Sequence, residues 1–160
     1  MASQLSEDTM RAVFITLFAV SQLALAEPGE REAMALAVKG ARYLQEHGKD
    51  ALIASINRKD PAFNQGALYL AVRDLNGITI AHPTTALIGK NLLDVPDADG
   101  KLFRHEMLAL ARGKGSGWVD YKFLNPRTGK VEAKTTYVLR VEDVALEAGV
   151  YKHGDSNKRH

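Results

Sequence analysis

The spacing of the apolar residues changes from helical to alternating near Pro61, and this change constrains the fold more than any other feature of the chain. Upstream, Ala33, Met34, Ala37, Ala41 and Leu44 recur at close to i, i+3, i+4 spacing. That predicts an amphipathic helix from Glu30 to His47, with Gly48 as its stop. Asp50 is placed to cap a second helical piece over 51–57, and Pro61 closes the region. Downstream the period becomes two. In 66–73, Leu68, Leu70 and Val72 share one face and Ala67, Tyr69 and Ala71 the other. Asp74-Leu75-Asn76-Gly77 is a hairpin turn, because Asn-Gly tolerates positive φ, and 78–82 is the return strand.

A long irregular connection follows over 83–100, of a length typical of binding loops. Leu102, Phe103, Met107, Leu110 and Ala111 predict a helix over 101–112. Strands are then predicted at 118–125, 131–141 and 145–151, the first two joined by Pro126-Arg127-Thr128-Gly129. The result is an α+β domain: a long N-terminal helix and a five-stranded antiparallel sheet, with a helix and loops covering one face. The chain has 160 residues and no cysteine, so thiolate chemistry, disulfides and Cys-ligated zinc are excluded. A formal net charge of +2, with Lys and Arg scattered, gives no footprint for nucleic acid, which is not expected as a partner.

Residues 10–26 read as an export signal: Met10-Arg11, the apolar run from Ala12, and small residues at Ala24 and Ala26. The run is short for a membrane span, which leaves a retained anchor helix as the alternative. Glu7 and Asp8 fit a signal peptide poorly, so Met10 is the expected start. Cleavage after Ala26 would leave a folded domain at 27–151 and a polar tail at 152–160, periplasmic or secreted and without an anchor of its own.

Three motifs invite chemistry and fall short of it. Gly113-Lys114-Gly115-Ser116-Gly117 runs from a helix into a strand, the reverse of a phosphate loop. Asp97-Ala98-Asp99-Gly100 with Glu106 resembles part of a calcium loop, but Val95 stands where the first carboxylate belongs. It reads as a turn before the helix. The five histidines, His47, His82, His105, His153 and His160, show no metal-ligand spacing. No catalytic residue, metal or cofactor is expected.

Several blocks, in order, carry a family resemblance. They are Tyr69-Leu70-Ala71-Val72, Asp74-Leu75-Asn76-Gly77, Ala81-His82-Pro83, and Gly89-Lys90-Asn91-Leu92-Leu93-Asp94. Asp97 to Lys101, Gly115 to Lys122, Asn125-Pro126, Lys134 to Val138 and Ala148-Gly149-Val150-Tyr151 complete the series. The stretch from Tyr69 to Tyr151 resembles the single Cache family, second subtype, whose domains are similar to PAS domains. The resemblance implies an extracytoplasmic sensor domain of a signal-transduction or chemotaxis system that binds a small organic acid. The chain resembles stand-alone exported members, which implies either a membrane receptor or kinase as partner or a soluble binder acting alone. The rival reading is an exported protein-interaction module with a PAS-like core and no small-molecule ligand.

The resemblance also implies a ligand-facing set: Tyr121, Lys134 and Tyr137, with Tyr69, His82 and Trp118. Lys134 stands out on its own account, since a lysine inside a strand needs water or an anion for its head group. Strand parity sets a condition on the set. Lys134 and Tyr137 are three apart, as are Trp118 and Tyr121, so regular strands send the members of each pair to opposite faces. All six can share a pocket only where a bulge intervenes or a side chain reaches around a sheet end.

Overall fold

The computed structural model describes residues 28–152; the predicted export signal and residues 153–160 lie outside them. Helix α1 spans Glu30–His47, and its first turn is closed by the Glu32 carboxylate accepting the Gly29 N–H at 2.9 Å. Its buried stripe is Ala33, Leu36, Ala37, Gly40 and Leu44. Met34, read above with the apolar set, is instead 40% exposed, one step of about 100° off that stripe. Gly48, at φ 89°, ends α1 and leads directly into α2, Lys49–Asn57.

The strands are β1 (Asn64–Gln65), β2 (Leu68–Asp74), β3 (Thr79–Ala81), β4 (Ser116–Leu124), β5 (Val131–Val141) and β6 (Val144–Tyr151). Helix α3, Phe103–Arg112, lies between β3 and β4. The sheet is antiparallel in the order β1-β2-β6-β5-β4, with β3 paired to β2. Five of these strands match the expected ones; the two-residue β1 is the addition, too short to carry a period of its own. The Asp74–Gly77 turn forms as read, with Gly77 at φ 98° and the Asp74 carboxylate accepting the Asn76 and Ile78 N–H groups.

The central strands β2 and β6 are buried along nearly their whole length, because the sheet is covered on both faces. Helix α1 packs on one face over Leu70, Val72, Leu146, Ala148 and Val150. Gly40 permits that approach: a Cβ there would collide with the Leu70 side chain. The opposite face carries α3 through Phe103, Met107 and Ala111 against Val119, Val138 and Ala145, together with the connection from β3 to α3. The pairing of β4, β5 and β6 runs without a register shift from end to end. Parity therefore sorts every side chain in these strands cleanly between the two faces.

The connection itself is fastened. Its first half contains a 3-10 turn, Thr85–Leu87, and returns along β3, where Thr79 exchanges hydrogen bonds with Gly89 and Lys90. In its second half Asp97 accepts the N–H groups of Asp99, Lys101 and Lys122, which ties the Asp97–Gly100 turn to β4. The Asp97 carboxyl is held below its usual range by those backbone donors, Lys122 first. That carboxylate thus serves as a loop anchor, and among the described residues no three His, Asp or Glu side chains are grouped to hold a metal.

Candidate ligand-binding site

Between the sheet and the β3–α3 connection lies a cavity of about 30 Å³, room for roughly one or two waters. Its floor is the α3-side face of β2, β4, β5 and β6, and its roof includes Leu87, Leu92 and Arg104. Lys134 stands at the centre, 2% exposed. Its Nζ donates to the Tyr69 hydroxyl at 3.0 Å and to the Tyr151 hydroxyl at 3.5 Å. Tyr151 in turn donates to the Leu124 carbonyl at 2.7 Å. The rings of Tyr69, Tyr151 and Phe123 surround the amine at 4.3, 4.7 and 5.4 Å. Gly149 makes room for this lysine, since a Cβ there would meet Thr136 and the Lys134 stem.

Burial lowers the Lys134 pKa to about 7, with Glu147 pulling the other way. Glu147 forms a two-point ion pair with Arg73, Nε to Oε1 at 2.8 Å and Nη2 to Oε2 at 3.1 Å. Arg73 also donates to the Thr79 hydroxyl at 3.1 Å. Arg104, on the inward side of α3, donates to the carbonyls of Val95 at 3.1 Å and Leu92 at 3.4 Å. Three basic side chains therefore line the cavity against one carboxylate, all four no more than 7% exposed. An excess of basic groups over carboxylates in so buried a space favours an anion.

His82 stands beside Tyr69, ring to ring at 5.0 Å. Its Nδ1 accepts the Thr84 N–H at 2.8 Å, which leaves Nε2–H as the donor of a neutral ring. Burial lowers its pKa to about 4, helped by the charges of Lys134, Arg73 and Arg104. Tyr121 stacks on Phe103 at 4.0 Å, and its hydroxyl meets the Thr136 hydroxyl at 2.9 Å. The cavity thus offers an ammonium, guanidinium groups, an imidazole N–H and phenol hydroxyls within an aromatic wall.

Of the six residues expected from the sequence, Tyr69, His82, Tyr121 and Lys134 come together here. Trp118 and Tyr137 do not. They pair directly across β4 and β5, rings 5.1 Å apart, and pack with the α1-side core. The unbroken register is the reason: without a bulge, residues three apart cannot share a face. Sequence reasoning missed Arg73, Arg104 and Glu147. One signal was available, since Glu147 is the only charged residue in the apolar run 144–150 and a lone carboxylate there requires a buried partner.

A family model described as single Cache domain 2 matches residues 32–154. Over 75 residues the chain is 35% identical to the sensor histidine kinase MctS of Rhizobium johnstonii, covering 46% of this chain and 16% of the kinase. Over 71 residues it is 35% identical to the methyl-accepting chemotaxis protein McpP of Pseudomonas putida, covering 44% of this chain and 13% of McpP. The chain therefore spans only a small part of the length of these relatives. Among solved structures, the periplasmic sensor domain of a chemotaxis protein superposes with a TM-score of 0.59 at 25% identity, over 77% of this chain and 90% of that one. A methyl-accepting chemotaxis protein of Vibrio parahaemolyticus gives 0.65 at 18% identity, over 90% and 93% of the two chains. A Cache chemosensory domain solved for its carboxylic acid recognition gives 0.60 at 24% identity, over 94% and 100%.

Proposed function

The chain belongs to the single Cache domain 2 family, and we propose that it binds a small organic acid outside the cytoplasm and reports its presence to a signalling partner. Cache domains of this kind are the sensor portions of chemoreceptors and sensor histidine kinases. The observation that carries the choice of ligand is the cavity: three buried basic side chains, one carboxylate, and little free volume. A small carboxylate supplies the missing negative charge without requiring much space. The Cache domain solved for its carboxylic acid recognition supports the same class.

In this reading Lys134 and Arg104 engage the carboxylate as charged donors, with Tyr69, Tyr121 and His82 as neutral ones. Arg73 is already committed to Glu147 and sets the field of the site. The domain performs no chemistry on its ligand. Export by way of residues 10–26 places it in the periplasm, where a membrane receptor or kinase is the partner.

The test is thermal unfolding of the purified protein against two- to four-carbon carboxylates, amines and alcohols. A ligand at a hundred times its dissociation constant stabilises by about 2.7 kcal/mol, which at this size is a shift of several degrees. Shifts with carboxylates alone, lost in Lys134→Ala, support the reading. Silence across all three classes overturns it and leaves the protein-docking alternative.

A further inference from the structure

Beside the charged cavity lies a second and larger one, of about 430 Å³, with a predominantly apolar lining that includes Gly66, Pro83, Leu124 and Pro126. The two cavities share three wall residues, Tyr69, Leu87 and Phe123. These side chains therefore stand between a space for a few atoms and a space several times larger.

The three are not equivalent. Tyr69 accepts a hydrogen bond from Lys134. Phe123 flanks the Lys134 amine and packs edge-on against Phe103 and Tyr121, at 6.2 and 5.9 Å. Leu87 belongs to neither core cluster and touches the site only as a wall. It closes the 3-10 turn of the β3–α3 connection, and that turn is held to β3 by the bond from Gly89 N–H to the Thr79 carbonyl at 2.8 Å. The wall is thus a half-buried side chain on a fastened loop, outside both core clusters.

We propose that Leu87 sets the upper length of the acid: the carboxylate is held at Lys134 and Arg104, and Leu87 stops the aliphatic tail from entering the larger cavity. Shortening Leu87 joins the two spaces and gives a longer tail an apolar channel. This inference rests on the carboxylate reading above and adds its length limit. A missing or extra methylene in an apolar pocket changes affinity by about tenfold or more, so the limit is measurable.

The experiment is calorimetric titration of the purified protein with acetate, propionate, butyrate and hexanoate. The wild type is expected to bind the short acids and to bind hexanoate at least about tenfold more weakly. In Leu87→Ala hexanoate is expected to gain about tenfold relative to propionate, while propionate changes by no more than about threefold. Leu87→Phe is expected to act in the opposite sense, losing butyrate before acetate, and it serves should Leu87→Ala fail to fold. Equal shifts for all four acids in both variants overturn the role of Leu87 and leave the carboxylate site standing. A wild type that binds none of the four overturns the carboxylate reading and the length limit with it.

Discussion

Leu146 and Glu147 are neighbours in the chain, both buried in the central strand β6, and they answer to opposite demands. Leu146 faces α1 in an apolar layer with Leu70, Val72, Ala148 and Val150. Glu147 faces the cavity and holds Arg73 beside Lys134 and Arg104. Each face has one glycine fitted to its purpose: Gly40 brings α1 down onto the sheet, and Gly149 opens a space for Lys134. The α1 face of the sheet is packed with apolar side chains along its length. The other packs α3 and also carries buried charge, which is costly.

The largest difference between the two faces is expected at Glu147. Glu147→Ala leaves Arg73 buried without its counter-charge and is expected to destabilise by about 3–5 kcal/mol in denaturant unfolding. A loss below about 1 kcal/mol would mean the pair is screened as a surface pair is, and that the cavity face is not dry. Leu146→Ala, one residue away, removes packing and is expected to cost about 3 kcal/mol. Its dissociation constant for a short carboxylate should stay within about twofold of wild type, since additivity holds for sites without shared partners. Strong weakening of binding by Leu146→Ala would show that the two faces are coupled.

Much of this division was legible in the sequence, because parity is. The period of two in β2, β4 and β5 separates Lys134 from Tyr137 and Tyr121 from Trp118, and the paired strands keep that separation. What parity cannot give is which face receives α1 and which receives the connection. A family pattern that mixes odd and even positions therefore drew Trp118 and Tyr137 into a site they do not line. Arg104 was hidden for a different reason. It lies on a helix among Phe103, Met107 and Leu108, and a charged residue at a single helical position reads as solvated until the roof of the cavity is known. Arg73 ended a strand beside a turn, a place where an arginine draws no notice.

Lys134 gives the third test, in which stability and binding are expected to part. Lys134→Met keeps an unbranched side chain as far as Cε and removes the buried amine, so unfolding free energy should hold or rise by about 1 kcal/mol. Affinity for a short carboxylate should fall by about ten- to a hundredfold, as a charge-assisted hydrogen bond is lost. The pH dependence follows from the lowered pKa of about 7 in the folded protein, against 10.5 ordinarily. Between those values the unfolded chain holds the proton and the folded one has released it, so wild-type stability rises with pH relative to Lys134→Met. A carboxylate binds the protonated amine, so affinity should decline by up to about tenfold per pH unit above pH 7. The other groups facing the amine do not change charge over that interval: burial keeps His82 neutral and pushes the Tyr69 and Tyr151 hydroxyls upward. A flat affinity from about pH 6 to about pH 9 would remove Lys134 from the anion site.

The smallest effects belong to a matched pair of hydroxyl deletions. Tyr121 lies across from Lys134 in the β4–β5 ladder and Tyr137 across from Trp118, so the same change, Tyr to Phe, samples the two faces of the same strand pair. Tyr121→Phe removes a cavity hydroxyl bonded to Thr136 and should weaken carboxylate binding by about three- to tenfold. Tyr137→Phe alters a half-buried ring on the α1 side and should leave affinity within about twofold and stability within about 0.5 kcal/mol. The contrast is sensitive because the chemistry removed is identical and only the face differs. Were Tyr137→Phe the more damaging to binding, the site would have to reach through or around the sheet, and the division between a packing face and a recognising face would fail.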